Sequence, residues 1–106
     1  MPQDTFQANF CADQLKALGD PLRLRLIDAL RSGEMTVGDL AILAETDIAL
    51  VSHHLQVLKH SQLVETRREG RYIYYRLRDD LVACRRGANQ QFLDLGCCRI
   101  EIPATR

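Results

Sequence analysis

Apolar residues along this chain recur first with a helical period and then with a strand period, and the change falls near residues 61–63. Val51, Leu55 and Leu58 stand at i, i+4 and i+7, the spacing of one buried helix face. After the turn at Glu69-Gly70 the apolar positions alternate through Ile73, Tyr75 and Leu77. A helix followed directly by a basic two-stranded hairpin predicts a winged helix. That arrangement suits a helix in the DNA major groove with a ribbon beside it.

Upstream, Phe10, Leu15 and Leu18 predict a first helix over 7–18, stopped by Gly19. Asp20-Pro21 opens a second, with Asp as cap and Pro at the first helical position. It continues through Leu26, Ile27 and Leu30 to about residue 31. A short extended piece at 34–36 follows. Thr36 then caps a short helix to residue 43, and Thr46 or Asp47 caps the helix that runs to 60. The two strands are expected at 64–68 and 71–77. A last helix is expected from Asp79 or Asp80 through Leu81, Val82, Phe92, Leu93 and Leu95, with Gly96 as its left-handed cap. Gly87 and Asn89 weaken its middle by up to about 1 kcal/mol each relative to alanine. Residues 97–106 read as an extended tail. The expected fold is one domain over 1–106, mainly α with a small β-hairpin wing (α+β).

The 106 residues carry no net charge, so the total is silent about nucleic acid. The distribution is not. Residues 1–50 hold four basic and eight acidic side chains, and residues 51–106 hold ten basic and six acidic. The positive excess therefore sits on the helix-hairpin unit and the tail, where a phosphate backbone needs it. A solvated basic surface is the plain alternative. The first residues lack the basic start and apolar run of a secretory leader. No stretch approaches the roughly 18 apolar residues of a membrane helix. A cytoplasmic location without membrane contact is expected, and there four cysteines are thiols, ligands or redox sensors rather than structural staples.

The helices 36–43 and 47–60 form a helix-turn-helix, whose second helix presents its N-terminal turns to base edges. Those positions are Ile48, Ala49, Ser52 and His53; Lys59 lies further along the same helix. Ser52 and His53 suit a base or a phosphate, and Ile48 and Ala49 a thymine methyl. Ordinary polar helix surface is the competing account of Ser52-His53-His54, and the wing behind them weighs against it. The wing tip carries Arg67, Arg68 and Arg71 around Gly70, suited to phosphate or minor-groove contact. Tyr72, Tyr74 and Tyr75 are expected to pack in the sheet rather than stack on bases.

Three stretches together resemble the ArsR-type (ArsR/SmtB) family of metal-sensing winged-helix repressors. They are Asp20-Pro21-Leu22-Arg23-Leu24-Arg25-Leu26, Val51-Ser52-His53-His54-Leu55-Gln56-Val57-Leu58 and Glu69-Gly70-Arg71-Tyr72-Ile73-Tyr74-Tyr75-Arg76-Leu77. The resemblance covers residues 9–95. It implies a homodimer packed through the first and last helices, bound to double-stranded operator DNA until an inducer releases it. One departure concerns sequence choice: the family often has polar residues where this chain has Asp47-Ile48-Ala49-Leu50. The family's inducer sites also do not transfer. The first helix of the helix-turn-helix has no cysteine. Asp79 matches a zinc site of the last helices, but Leu81, Phe92 and Leu95 fall at its other ligands. The second helix lacks the cysteine of a persulfide-sensing branch.

What remains is Cys11, Cys84, Cys97 and Cys98. Cys97-Cys98 follow Gly96, where the backbone is freer than in a helix and two thiolates can close on one soft ion. Arsenic(III) and antimony(III) suit three thiolates in a pyramid and are the expected inducers, with another soft metal ion, or none, as the alternative. The third ligand is open. Cys84 lies 13 residues before Cys97, roughly 20 Å along a helix, so it needs the partner's last helix. Cys11 on the first helix is the other route. Both are also ordinary candidates for small core residues. A thiol-redox-responsive repressor using the same cysteines is the second reading. An enzyme is disfavoured, because a helix C-terminus works against a low thiol pKa. A winged helix used only for protein contacts is a further alternative, distinguished by sequence-specific DNA binding.

Overall fold

The computed structural model describes residues 7–84 and 91–102. Four helices come first: α1 (Ala8–Leu18), α2 (Pro21–Leu30), α3 (Val37–Ala44) and α4 (Ile48–His60). A two-residue strand β1 (Met35–Thr36) precedes α3, and the hairpin β2 (Val64–Glu69) and β3 (Tyr72–Leu77) follows α4. These elements lie within a residue or two of the positions expected from the periodicity.

Local chemistry explains the boundaries. The Asp20 carboxylate accepts from the Leu22 and Arg23 amides, and Pro21 fills the first helical position of α2. Thr36 Oγ1 accepts from the Asp39 amide at the start of α3. Asp47, rather than Thr46, caps α4, accepting from the Leu50 amide at 2.8 Å. In the wing, Glu69 pairs with Tyr72 across Gly70, whose φ of +61° is one that L side chains rarely adopt. β1 joins the same sheet through Met35 opposite Tyr75, giving the order β1-β3-β2.

The core lies where α2, α3 and α4 meet the sheet. Leu26, Ile27 and Leu30 pack with Leu40, with the α4 stripe Val51, Leu55 and Leu58, and with Leu63, Val64, Tyr75 and Leu77. Tyr75 is buried, Tyr74 half-buried and Tyr72 exposed.

Several expectations need correction. The stripe Phe10, Leu15 and Leu18 is not the core face of α1. That face is Cys11, Gln14, Ala17 and Leu18, while Phe10 and Leu15 are exposed. The last helix is replaced, among the described residues, by β4 (Val82–Cys84), β5 (Gln91–Asp94) and β6 (Arg99–Ile102) in an antiparallel sheet of order β4-β5-β6. A dimer contact through a last helix therefore has no counterpart among the described residues. The apolar residues of this region come in short clusters separated by Gly87, Asn89 and Gly96, which disfavour a continuous helix. Strand pairing instead buries Leu93 and satisfies the backbone, with Leu93 opposite Val82 on one side and Ile100 on the other. The supposed extended tail is consequently a strand over Arg99–Ile102, and Pro103 lies outside the described residues. Gly96 does adopt φ +87°, in the turn between β5 and β6 rather than at a helix end.

Candidate nucleic-acid interface and thiol site

The helix-turn-helix presents the start of α4 to solvent. Ile48, Ala49 and His53 are exposed and Ser52 is half-buried, whereas Val51 and Leu55 turn into the core. Lys59 is exposed in the last turn. His54 takes a different part. Its Nδ1 lies 2.9 Å from Arg23 Nη1 and 4.0 Å from Asp20 Oδ2. Arg23 also donates through Nε to the Ala17 carbonyl at 2.6 Å. This cluster ties the end of α1 and the start of α2 to the back of α4. The hydrogen bond from the Arg23 amide, chiefly, holds the Asp20 carboxyl below its ordinary range.

The three wing arginines are not equivalent. Arg67 is held by Glu34 through Nε and Nη2, at 2.9 and 3.0 Å, and by Glu69 at 3.1 Å. Its guanidinium also lies 4.8 Å from the centre of the Tyr74 ring. The hydrogen bond from Arg67 holds the Glu34 carboxyl below its ordinary range. Among the described residues Arg68 reaches only the Gly70 carbonyl, at 3.3 Å, and Arg71 lies 6.0 Å over the Tyr72 ring; both are exposed at the tip. The charge open to a polyanion is therefore that of Arg68 and Arg71.

The fold brings three of the four cysteines together. The Sγ atoms of Cys11, Cys97 and Cys98 all lie within 4.8 Å of one another. Cys11 is 2% exposed on the inner face of α1. Cys97 and Cys98 sit half-buried against the core, in a turn rather than in the extended tail expected for residues 97–106. Cys11 and Cys97 are joined as a disulfide with Cα atoms 5.8 Å apart, where thiols were expected, and Cys98 is the free thiol among the described side chains. Cys84 belongs to β4, and its side chain lies outside those described.

Hydrogen bonds hold the vicinal pair in place. The Leu95 amide donates to the Cys98 carbonyl at 2.9 Å and the Gly96 amide to Asp94 Oδ1 at 2.9 Å, closing the turn. Arg78 anchors that turn to the wing, donating to the Gln62 carbonyl at 2.9 Å and the Asp94 carbonyl at 3.4 Å. On the other side Gln14, one helical turn from Cys11, donates through Nε2 to the Ser61 carbonyl at the end of α4. The cysteine cluster is thus linked to the end of α4 and the start of the wing by two routes. The roles of Gln14 and Arg78 were not read from the sequence. Gln14 had a signal there, a polar residue three positions after Cys11 on an amphipathic helix.

As donors, three thiolates select soft ions and reject hard ones. A bound thiophilic ion with metal–sulfur bonds near 2.3 Å needs sulfur separations of roughly 3.5–3.8 Å. Cys11 Sγ and Cys98 Sγ stand 3.4 Å apart, so the set fits after reduction and a small adjustment.

A family model described as bacterial regulatory protein, arsR family, matches residues 20–66, from the cap of α2 into β2. The transcriptional repressor SdpR of Bacillus subtilis is 40% identical over 62 residues, covering 58% of this chain and 69% of that protein. The chain belongs to the arsR family of bacterial regulatory proteins. It is a regulator rather than an enzyme. Two solved structures are similar as well. A possible transcriptional regulator for arsenical resistance superposes with a TM-score of 0.61 at 43% identity, over 63% of this chain and 70% of that one. A homodimeric winged helix-turn-helix DNA-binding domain from Mycobacterium bovis, called a possible ArsR-family transcriptional regulator, gives 0.65 at 37%, over 71% and 72%. Among the described residues no helix is long and apolar enough to cross a membrane.

Proposed function

We propose that this protein is a homodimeric, cytoplasmic repressor that leaves its operator when a thiophilic metalloid binds Cys11, Cys97 and Cys98, with arsenic(III) or antimony(III) as inducer. The observation that carries the proposal is the convergence of these three sulfurs from the two ends of the chain. Three soft donors, with no hard one grouped with them among the described residues, suit a trivalent metalloid that takes a pyramid of thiolates. The similarity to the possible transcriptional regulator for arsenical resistance supports the same choice. Homodimerisation is supported by the homodimeric neighbour and by the exposed Phe10 and Leu15 on α1, apolar side chains that a second copy would cover.

DNA contact is assigned to Ile48, Ala49, Ser52 and His53 in the groove and to Arg68 and Arg71 on the backbone, with Lys59 adding charge nearby and Arg67, paired to Glu34 and Glu69, bracing the wing. An inducer must bind the DNA-free arrangement better than the DNA-bound one. Clamping Cys11 to the β5–β6 turn fixes α1 against the wing. Gln14 and Arg78 then pass any shift in that clamp to the end of α4.

A redox reading of the same site is favoured by one observation, the Cys11–Cys97 disulfide. Here oxidation of two thiolates, with two electrons passing to an oxidant such as a peroxide, makes the clamp without any metal. One experiment separates the two. The reduced protein on its selected operator is titrated, by fluorescence anisotropy, with arsenite, antimonite, cadmium, zinc and hydrogen peroxide. Release by arsenite under reducing conditions supports the metalloid reading. Release by peroxide alone transfers the site to redox sensing.

A further inference from the structure

The first turn of α4 holds Ile48, Ala49 and Leu50, none of which has a hydrogen-bonding side chain. Ile48 is 55% exposed and Leu50 42%. The core does not need them, because α4 packs inward through Val51, Leu55 and Leu58. Ile42 and Leu43, on the last turn of α3, are exposed too. A single exposed apolar residue is ordinary, but four bracketing the turn of a helix-turn-helix form an unusual run. The charged group at this point, Asp47, is occupied as the helix cap. Before Ser52, therefore, α4 has no side chain able to reach a purine edge with paired hydrogen bonds. In the major groove the one feature an aliphatic side chain can recognise is the thymine C5-methyl group.

We infer that Ile48, with Ala49 beside it, selects operator half-sites by contact with thymine methyl groups. The inference rests on the DNA-binding reading above and adds what that surface reads. The occupant is a DNA groove rather than an apolar protein because the same unit carries the exposed cations Arg68 and Arg71, and the N-terminus of α4 carries the positive end of its dipole. Both suit a polyanion flanking an apolar strip.

The test begins with selection of a bound duplex from a random library. Each thymine of the half-site is then replaced singly by deoxyuridine, which deletes the methyl and leaves the pairing edge intact. One or two replacements should weaken binding by about four-fold each, the worth of one buried methyl-sized group. In Ile48→Ala, which is exposed and should melt like the parent, the penalty at one of these positions should vanish while any other remains. Ile48→Gln should move the preference at that pair toward adenine. Sequence-selective binding with no deoxyuridine penalty anywhere overturns the inference and leaves the DNA-binding reading intact. Failure to enrich any sequence overturns both.

Discussion

The Cys11 sulfur lies 3.4 Å from that of Cys98, although 87 positions separate them in the chain. Cys11 faces inward from α1, and the β5–β6 turn delivers Cys97 and Cys98 to it within the same chain. If the assembled site senses arsenite, Cys11→Ser should fold and bind operator yet keep hold of it at arsenite concentrations that release the parent. The Cys97→Ser, Cys98→Ser double variant should behave alike, and Cys84→Ser should respond normally. Anisotropy of labelled operator measures all three. Normal release by Cys11→Ser would take α1 out of the site.

Oxidation should link a defined pair. Mild peroxide treatment, alkylation and peptide mapping should recover Cys11 joined to Cys97, with Cys98 alkylated. A Cys97–Cys98 product instead would mean that the vicinal pair reacts before α1 does.

Arg68 and Arg71 are the wing cations with no carboxylate partner among the described residues, whereas Arg67 is neutralised by Glu34 and Glu69. Replacing Arg68 and Arg71 by alanine should weaken binding across all sequences. It should also lower the slope of log K against log salt by about one for each phosphate that the variant no longer neutralises. Arg67→Ala should change that slope less. An unchanged slope in the double variant would remove the wing from the interface.

Ser52 and His53 follow the apolar turn of α4 on its outer side. Ser52→Ala and His53→Ala should each reduce discrimination between operator and random duplex by about 1–3 kcal/mol where the native side chain bonds a base edge. Competition binding against random DNA gives the value. Full specificity in both variants would mean that a different part of α4 enters the groove.

Asp20 offers a pH test of the scaffold. Its folded carboxyl is held below the ordinary value, first by the Arg23 amide and also by His54, the Leu22 amide and the Arg23 charge, against the opposing effect of burial. A carboxyl depressed on folding stabilises the protein above its unfolded value, and that stability is lost as pH falls through the folded value. Asp20→Ala should therefore melt below the parent at neutral pH, and the gap should close in acid. Thermal melts across that range would show it, and a gap independent of pH would assign the loss to packing.

Much of the fold was legible because its signals are local. Asp20-Pro21, Thr36 and Asp47 satisfy amides within three residues of themselves, and Val51, Leu55 and Leu58 declare the buried face of α4 by spacing alone. The wing followed in the same way from alternation around Gly70. Which face of α1 turns inward was not local. Phe10 and Leu15 outrank Cys11 and Gln14 in hydrophobicity, yet the inner face is chosen by what it meets, namely the Ser61 carbonyl and the two thiol-bearing residues. The region after residue 79 was misread for a related reason. Leu81, Phe92 and Leu95 stand at spacings that one helix face accommodates, whereas Leu93 and Leu95 stand two apart as in a strand, and only pairing of Leu93 with Val82 and Ile100 decides between the two. The sequence by itself determined the winged helix and the soft donor types of the candidate site. Tertiary structure decided that Cys11 joins Cys97 and Cys98, because convergence across nearly the whole chain depends on how two distant segments pack.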